Sequence, residues 1–429
     1  MAAYTVSGEQ SAIRRLSWSQ VPPSSARLRL EGQARGDIAV AIAEDFEQIA
    51  SLQSIWNAMQ TAQSSPKPNA DIERYTSVIK ASEGKAKPYV MLFRRGDRPA
   101  AMVIGRIEDR QLSLKLGYKG LLHPRLTCLN VVYGGILGRV EGGLCQVVLD
   151  ELCRRLKSGE FDAVRFNYLD TGSDFYQAVR ETSGFFTRGH FPKIAEHWRM
   201  SVPASIDHFY HMRSHKHRGN LRRAVRKFQE EYPGENSFAR FSGEDDVDEF
   251  VRLAAEISSR TYQHALGVGV VNDEQTRHRI RTAAARGWFD GSLLFAGDKP
   301  CAFQLGLRYK QVYYMASVGY DPALRSYGTG TVLFLKVLES LCQDPAIQAI
   351  DFYFGDADYK RSYGTEHWPE ACVYVFAPRR YPMTVNVLRC SVAGVNASLA
   401  RITKRIGGTN RLRRTWRDLL KRASGMSRA

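Results

Sequence analysis

The sequence predicts an α/β fold of the α+β type, with two tandem copies of one domain that each form a mixed, mostly antiparallel sheet flanked by helices. Three observations support this prediction. The chain of 429 residues is longer than one ordinary hydrophobic core requires. Segments 88–107 and 291–309 share an apolar strand, a Gly-Asp-basic-Pro turn and a second apolar strand. The elements that follow these two hairpins also repeat in the same order.

The repeat continues through four elements. After each hairpin, the residue patterns predict a further strand, a glycine-containing loop that follows an arginine, an apolar helix and another strand. These later strands are 126–137 and 161–166 in the first copy, and 312–320 and 349–354 in the second. The strand-helix-strand step predicts one parallel crossover in each otherwise antiparallel sheet. A closing strand, His197–Val202 or Ala371–Ala377, is expected to end each copy.

Composition and the repeat together suggest the domain boundaries. Residues 1–36 are rich in Ser, Gln, Pro and Arg, so we expect a flexible arm. The first copy then spans 37–203 and the second spans 204–378. Residues 379–429 hold thirteen Lys and Arg and one acid, Asp418, which predicts a basic, partly helical tail. Because this tail carries +12 of the net charge of +17, the folded body is only mildly basic.

The cysteines and the hydropathy exclude several classes of protein. The seven cysteines are scattered and form no CxxC pair, which predicts reduced thiols, no disulfide framework and no metal site. No apolar run approaches 18 residues, so we expect no membrane-spanning helix. The first residues lack the apolar core of a secretory signal. We therefore expect a cytoplasmic protein.

The stretch RSYGTGT, residues 325–331, places two glycines directly before an apolar helix. Glycine allows the backbone to approach a ligand closely, and the free amides at a helix start attract an anion such as pyrophosphate. The stretch is not a Walker loop, because no Gly-Lys-Ser/Thr follows. It is not a dinucleotide fingerprint either, because Leu333 occupies the third glycine position. An ordinary glycine-rich connection is the alternative.

The loop and its neighbours resemble a known family. GYDPALRSYGTGTVLFLKVLE, followed by IDFYFGDADYKRSYG, is similar to the acetyltransferase domain of CelD-type cellulose-biosynthesis proteins, within the GNAT acyltransferase superfamily. A basic helix like Leu221–Phe228 also begins the domain in that group. The resemblance covers His215 to Gly364, with Tyr363 where the group often has Trp. The first half resembles only a degraded copy, as in the double-GNAT FemAB aminoacyltransferases.

The resemblance implies that an acyl-CoA, in particular acetyl-CoA, is the co-substrate and that no metal is needed. In GNAT proteins the fourth and fifth strands separate and the cofactor lies between them. The implied cofactor-binding residues are the strand backbone at Ala316, Ser317 and Val318 and the loop residues Arg325, Tyr327, Gly328, Thr329, Gly330 and Thr331.

Candidate catalytic residues lie on and after the last strand of the second copy. Alternation predicts Ile350, Phe352 and Phe354 on one side of the sheet, and Asp351 and Tyr353 on the other. Asp351 is then a base or an orienting group, with a strand-end acid paired to a basic residue as the alternative. Asp356 follows the strand as a further candidate acid. The resemblance implies that Tyr359 protonates the leaving thiolate, and a packed aromatic residue is the alternative.

Substrate binding is assigned to basic residues. Lys360 is predicted to hold a phosphate or carboxylate, or else to be a solvated lysine. The segment from His215 to Lys227 has six Lys and Arg and no acid. Arg218 and Arg222 there are predicted to bind an anionic acceptor, with a solvated basic helix face as the alternative.

Two further features bear on domain roles and partners. In the first copy, Glu141 would place a negative charge beside a pyrophosphate, so we expect that copy to have lost cofactor binding. In the tail, Leu412, Trp416, Leu419 and Leu420 fall at helical spacing among basic residues. A helix of this kind lies on an anionic membrane surface, and packing on the body or disorder are the alternatives.

Together these patterns predict a GNAT-type N- or O-acyltransferase that acts on an amine or hydroxyl of a small-molecule, sugar-nucleotide or glycan acceptor related to polysaccharide biosynthesis. The protein is expected in the cytoplasm, peripheral to the inner membrane face. One rival is a FemAB-like transferase that uses aminoacyl-tRNA, which is the only nucleic acid expected as a partner. The other rival is a non-catalytic protein that binds membranes or nucleic acid through its tail.

Overall fold

The structure, a computed structural model, describes residues 29–34, 37–117, 119–234, 237–261, 269–355 and 357–405. Residues 29–34, within the segment predicted as an arm, form a strand, and the rest of that segment lies outside the described residues. The predicted tail helix around Leu412–Leu420 and the candidate acid Asp356 also lie outside the described residues.

In the first half, the described residues form nine strands and five helices. The strands are β1 Arg29–Ala34, β2 Ile38–Ala43, β3 Ala86–Arg95, β4 Arg98–Gln111, β5 Leu114–Leu116, β6 Lys119–Leu122, β7 Arg125–Leu137, β8 Ala163–Asp170 and β9 Lys193–Ser201. The helices are α1 Phe46–Ser51, α2 Gln53–Thr61, α3 Ile72–Lys80, α4 Gly143–Ser158 and α5 Asp174–Thr182.

The second half supplies the remaining described elements. The strands are β10 Phe238–Phe241, β11 Phe289–Ala296, β12 Lys299–Tyr309, β13 Val312–Tyr320, β14 Ala349–Phe354 and β15 Glu366–Phe376. The helices are α6 Ile206–His211, α7 His215–Glu231, α8 Val247–Ser259, α9 Glu274–Ala284, α10 Thr329–Cys342, α11 Asp358–Tyr363 and α12 Arg380–Arg405.

Thirteen strands form one continuous sheet in the order β1-β2-β3-β4-β7-β8-β15-β9-β14-β13-β12-β11-β10, and β5 and β6 form a separate hairpin. Among the described strands, only β7–β8 and β13–β14 pair in parallel. Each half therefore contains one parallel crossover in an otherwise antiparallel sheet. The predicted fold class, a mixed and mostly antiparallel sheet flanked by helices, is confirmed.

The two halves exchange their closing strands. β9, from the end of the first half, pairs with β14 through Ile350↔Met200, and β15 pairs with β8 through Val373↔Phe166. Met200 accordingly packs in the core of the second half, and Val373 in the core of the first. This corrects the prediction that each closing strand ends its own copy. Apolar alternation identifies a strand and its buried face, but it does not say which sheet edge the strand joins.

Helices cover both faces of the sheet in each half. In the second half, α7 and α10 pack over Ile350 and Phe352, whereas α8 and α9 pack over Tyr314 on the opposite face. The outer helix α12 lies against the first half, where Asn386 Nδ2 donates hydrogen bonds to the carbonyls of Phe186 and Arg188. The first part of the predicted tail is thus a docked helix.

Candidate active site

The central feature of the second half is an opening between two parallel strands. β13 and β14 pair from Val312↔Ala349 to Tyr314↔Asp351, and beyond that point they separate. A bulge at Ala316 shifts the pairing of β13 with β12, and the Ala316 side chain is exposed while Ser317 and Val318 are half-buried. The backbone predicted to bind the thioester arm therefore borders the opening, and Asp351 marks its apex.

The glycine loop lies between β13 and α10. A 3-10 turn, Pro322–Tyr327, leads to Gly328, whose φ of 65° is left-handed and favours glycine. Helix α10 begins at Thr329, so the amides of Thr329 and Gly330 precede the first carbonyl that a helical bond could use. Arg325 is exposed beside them. Thr329 is fully buried, backbone included, whereas Gly330 is half-buried.

The basic helix α7 packs against this loop rather than against Asp351. A Cβ built on Gly328 would lie 3.2 Å from the Cβ of Ala224, and Lys227 Nζ donates a 3.1 Å hydrogen bond to the carbonyl of Ser326. The same ammonium lies 4.6 Å from the ring centre of Tyr327. Arg218 is half-buried and Arg222 lies over the Tyr210 ring at 5.3 Å. Arg218 and Arg222 thus belong to the helix that supports the loop.

Asp351 is buried and surrounded by donors. Its Oδ2 lies 2.9 Å from Lys67 Nζ, its Oδ1 lies 2.8 Å from His197 Nε2, and Oδ1 also accepts a 2.8 Å hydrogen bond from the Tyr353 amide. Burial alone would raise the pKa of this carboxyl, but His197 and Lys67 outweigh burial and lower the pKa to about 2. A carboxylate with so low a pKa is a poor base near neutral pH, so the geometry favours the orienting role.

His197 extends the contacts of Asp351 into a larger network that includes strands of both halves. His197 is fully buried, and its Nδ1 lies 3.2 Å from Glu370 Oε2 and 3.1 Å from the Tyr133 hydroxyl. Burial alone would lower the pKa of His197, but hydrogen bonds to Asp351 and Glu370 raise it. Trp368 stacks on the imidazole at 4.5 Å and donates its Nε1–H to Glu370. A buried network of one lysine, one histidine and two carboxyl groups therefore forms at the junction of the halves.

Lys360 is buried beside the end of β14. Its Nζ donates a 2.8 Å hydrogen bond to the carbonyl of Phe354, and burial lowers its pKa to about 8, against the opposing effect of Asp351. It is therefore not the solvated lysine of the alternative interpretation. Tyr359 is half-buried and contacts Phe352 edge-to-face at 6.4 Å.

The predicted alternation of β14 holds only up to Tyr353. Ile350 and Phe352 pack under α10 as expected. Tyr353, however, has a φ of 56°, and the pairing with β9 is irregular after Asp351. As a consequence Phe354 stacks on Tyr168 at 3.6 Å and contacts the Tyr133 ring, on the side of the partners of Asp351. The left-handed residue reverses the alternation, which a strand pattern alone does not reveal.

The sequence reasoning missed Lys67, His197, Glu370 and Tyr133. Lys67 lies between α2 and α3, next to the 3-10 turn Pro68–Ala70. Its stem passes directly over Gly134 in β7, where a Cβ would lie 2.6 Å from the Cβ of Lys67. A Gly-Gly pair within an apolar strand is a signal of close backbone approach, and it was the one available clue to this contact.

The corresponding region of the first half differs in two ways. Glu141 in its loop forms a 2.8 Å ion pair with Arg139, the cation that would otherwise face an anion. β7 and β8 pair as far as Val131 and then separate. Beyond that point, the segment that carries Lys67 contacts β7. That this half does not bind cofactor stays a prediction.

The described residues contain no group of three or more His, Cys, Asp or Glu side chains that could hold a metal ion. Within the same part of the chain, no helix is both long and apolar enough to cross a membrane.

Comparisons with known proteins agree with this geometry. Residues 215–361, about a third of the chain, match the acetyltransferase (GNAT) domain family. The solved structure of FemX is similar with a TM-score of 0.50 and 10% identity, over 74% of this chain and 95% of FemX. No curated protein matches this sequence.

Two further solved structures are similar with lower scores. A tandem GNAT protein from the clavulanic acid biosynthesis pathway has a TM-score of 0.44 and 12% identity, over 80% of this chain and 99% of its own. L-PGS from Bacillus licheniformis has a TM-score of 0.41 and 15% identity, over 68% of this chain and 85% of its own. Residues 215–361 thus resemble a GNAT acetyltransferase domain, and the fold of this chain is similar to that of FemX over 74% of its length.

Proposed function

We propose that the protein transfers an acyl group, in particular acetyl, from acyl-CoA to an amine or hydroxyl of an anionic or polysaccharide-related acceptor. One observation carries this proposal: the exposed residue Ala316 borders the opening between β13 and β14, and the amide of Gly330, at the start of α10, has no helical carbonyl to bond. A phosphate-bearing thioester fits both features. The bound acyl-CoA would supply the reactive thioester carbonyl.

The residues around the opening then have separate tasks. The amides of Gly330 and its neighbours and the exposed Arg325 hold the pyrophosphate. Backbone N–H groups near Val318 stabilise negative charge on the thioester oxygen. Tyr359 donates its hydroxyl proton to the departing thiolate. Asp351 keeps Lys67 and His197 in place instead of accepting a proton.

Positive charge at Lys360 and on α7 supports an anionic acceptor. The Lys360 ammonium has three donors, of which the carbonyls of Phe354 and, at 3.5 Å, Tyr353 occupy two. The remaining donor would hold a phosphate or carboxylate near the end of β14. Arg218 and Arg222 would bind a more distant anionic part from α7. The polysaccharide-related class rests on the resemblance of 215–364 to CelD-type domains.

The experiment is a free-thiol assay with purified protein, acetyl-CoA and a panel of sugar nucleotides, amino sugars and glycans. Release of CoA thiol that depends on one acceptor class, with an acetylated product of matching mass, is the expected result. No binding of any acyl-CoA, tested by thermal shift, would contradict the proposal and favour a non-catalytic binding protein.

A second candidate is transfer from aminoacyl-tRNA. The two-half architecture shared with FemX and the exposed basic residues of α7 favour it. Binding to tRNA through phosphates weakens steeply with salt. Product formation from aminoacyl-tRNA, without any melting shift from acetyl-CoA, would select this candidate.

A further inference from the structure

Three segments carry most of the large apolar side chains that the described part of the protein exposes. They are the β5–β6 hairpin region 113–125, the loop region 183–195 and helix α12. Twelve of the seventeen exposed large apolar residues in the described part of the chain lie on them. The most telling are Leu121 at 47% exposure, Leu122 at 50%, Phe185 at 69%, Phe186 at 59%, Leu388 at 40% and Val395 at 49%.

Hydrogen bonds join the three segments into one surface. Asn396 of α12 donates to the carbonyl of Lys115 in the hairpin at 2.7 Å and accepts from the Gly117 amide at 2.9 Å. Asn386 of α12 donates to the carbonyl of Phe186 in the loop at 2.9 Å. The hairpin and the loop therefore flank α12, and we call these segments together the α12 surface.

The outer face of α12 has an unusual composition for a helix in water. Exposed positions recur every three or four residues from Tyr381 to Leu399, and all of them are uncharged. A solvated helix face is normally rich in charged side chains. Five of these eight exposed positions carry large apolar side chains, and an exposed apolar surface of this kind marks an interaction site.

The charge around the apolar residues identifies the partner. Regions 113–125, 183–195 and 379–405 contain three, two and six Lys or Arg respectively, and none contains an Asp or Glu. Several of these bases are exposed, among them Lys115, Lys193 and Arg401. A second copy of this chain would bring the same positive charge to the contact. The tail beyond Arg405 is also basic, so the α12 surface would repel either partner.

We infer that the α12 surface docks on an anionic lipid bilayer. The aromatic pair Phe185–Phe186 and the pair Leu121–Leu122, at the open end of the hairpin, enter the boundary between headgroups and acyl chains. The surrounding Lys and Arg pair with anionic headgroups. This inference concerns a surface outside the acyl-transfer opening, and it requires neither acyl-CoA nor an acceptor.

The test is co-sedimentation of the full chain with vesicles of phosphatidylcholine alone or mixed with phosphatidylglycerol. The variants are Phe185→Ser with Phe186→Ser, and Leu388→Ser with Val395→Ser. The matched control is Val271→Ser with Met212→Ser, which are 46% and 49% exposed outside the surface. Wild type and control should bind the mixed vesicles, and each surface variant should bind about tenfold more weakly.

A chain that ends at Arg405 separates the surface from the tail, because α12 stays intact. The weaker binding caused by Phe185→Ser with Phe186→Ser should persist when both changes are made in that shorter chain. The inference is overturned if wild type ignores anionic vesicles or if the surface variants bind them as wild type does. It is also overturned if the variants instead abolish a concentration-dependent dimer seen by sedimentation velocity without lipid.

Discussion

Lys67, from the connection between α2 and α3 in the first half, contacts Asp351, at the apex of the opening in the second half, with Nζ 2.9 Å from Oδ2. Their exposed fractions are only 8% and 1%. The two residues are separated by 284 positions in the chain. The candidate active site of the second half is therefore completed by a residue of the first half, which gives that half a structural role at the site.

Removal of the Lys67 ammonium should destabilise the protein strongly. Lys67→Met leaves Asp351 buried with one cation fewer, and we expect a loss of about 3–5 kcal/mol in the free energy of unfolding. The double variant Lys67→Met with Asp351→Leu should recover part of that loss. Urea denaturation measures both. The control, Arg95→Met, breaks an exposed ion pair with Asp37 and should cost less than about 1 kcal/mol. Equal losses in the two single variants would refute the buried-pair argument.

The low pKa of Asp351 predicts a particular dependence of stability on pH. The carboxyl has a pKa of about 2 in the folded protein, below its usual value near 3.8. Its contribution to stability is therefore fully present above pH ~4 and is lost as pH falls through about 2. Because Asp351 also raises the pKa of His197, the difference in free energy of unfolding between wild type and Asp351→Asn should be constant only between pH ~4 and the ordinary histidine pKa of ~6.5. The difference should shrink below pH ~4. Acid titration of unfolding by circular dichroism tests this, and a difference that grows toward low pH would contradict it.

The glycine loop should be needed for cofactor binding but not for folding. A Cβ on Gly330 would meet Tyr320 at 3.4 Å, an ordinary contact, so Gly330→Val should melt normally yet show no upward shift with acetyl-CoA. Gly328→Val should also lose the shift, but its φ of 65° predicts a lower melting temperature. Arg325→Ala should weaken binding by about 1.5–3 kcal/mol. A full ligand shift in Gly330→Val would show that the loop is an ordinary connection.

One molecule of acetyl-CoA should bind per chain. In the first-half loop Glu141 is paired with Arg139, and the Lys67 segment packs on β7 at Gly134. Calorimetry should give a stoichiometry near one, and Gly143→Val should leave affinity unchanged because a Cβ there meets no atom within 4 Å. Two equivalent sites, or lost binding in Gly143→Val, would mean that the first half is active.

Lys360 should make acceptor affinity depend on pH. Its ammonium, with a pKa of about 8, is present below that pH and is lost above it. An anionic acceptor bound by Lys360 should therefore show a KM that rises as pH increases through 8. In Lys360→Met the KM should be high and nearly flat across the same range, with kcat less affected. A wild-type profile retained in the variant would assign the titration to another group.

Only part of the candidate site could be predicted from the sequence. The sequence alone proposes Gly328, Gly330 and Arg325, because loop chemistry is encoded in consecutive residues, and their role in cofactor binding stays a prediction. The strand position of Asp351 makes it a candidate, but the sequence does not show its ionisation state. That state depends on Lys67 and His197. The alternation pattern predicts the wrong side of the sheet for Phe354, because the left-handed conformation of Tyr353 breaks the alternation.

The sequence by itself determined the fold class, the internal repeat, the parallel crossover and the glycine loop. These features arise from turn residues and apolar periods, which act over a few neighbouring positions. Only the tertiary structure decided that β9 and β15 exchange between the halves, and that Lys67 reaches Asp351. Such contacts depend on which sheet edges meet and in which register, and backbone hydrogen bonds serve either pairing equally. The choice is made by the packing of whole halves, which no short stretch of sequence records.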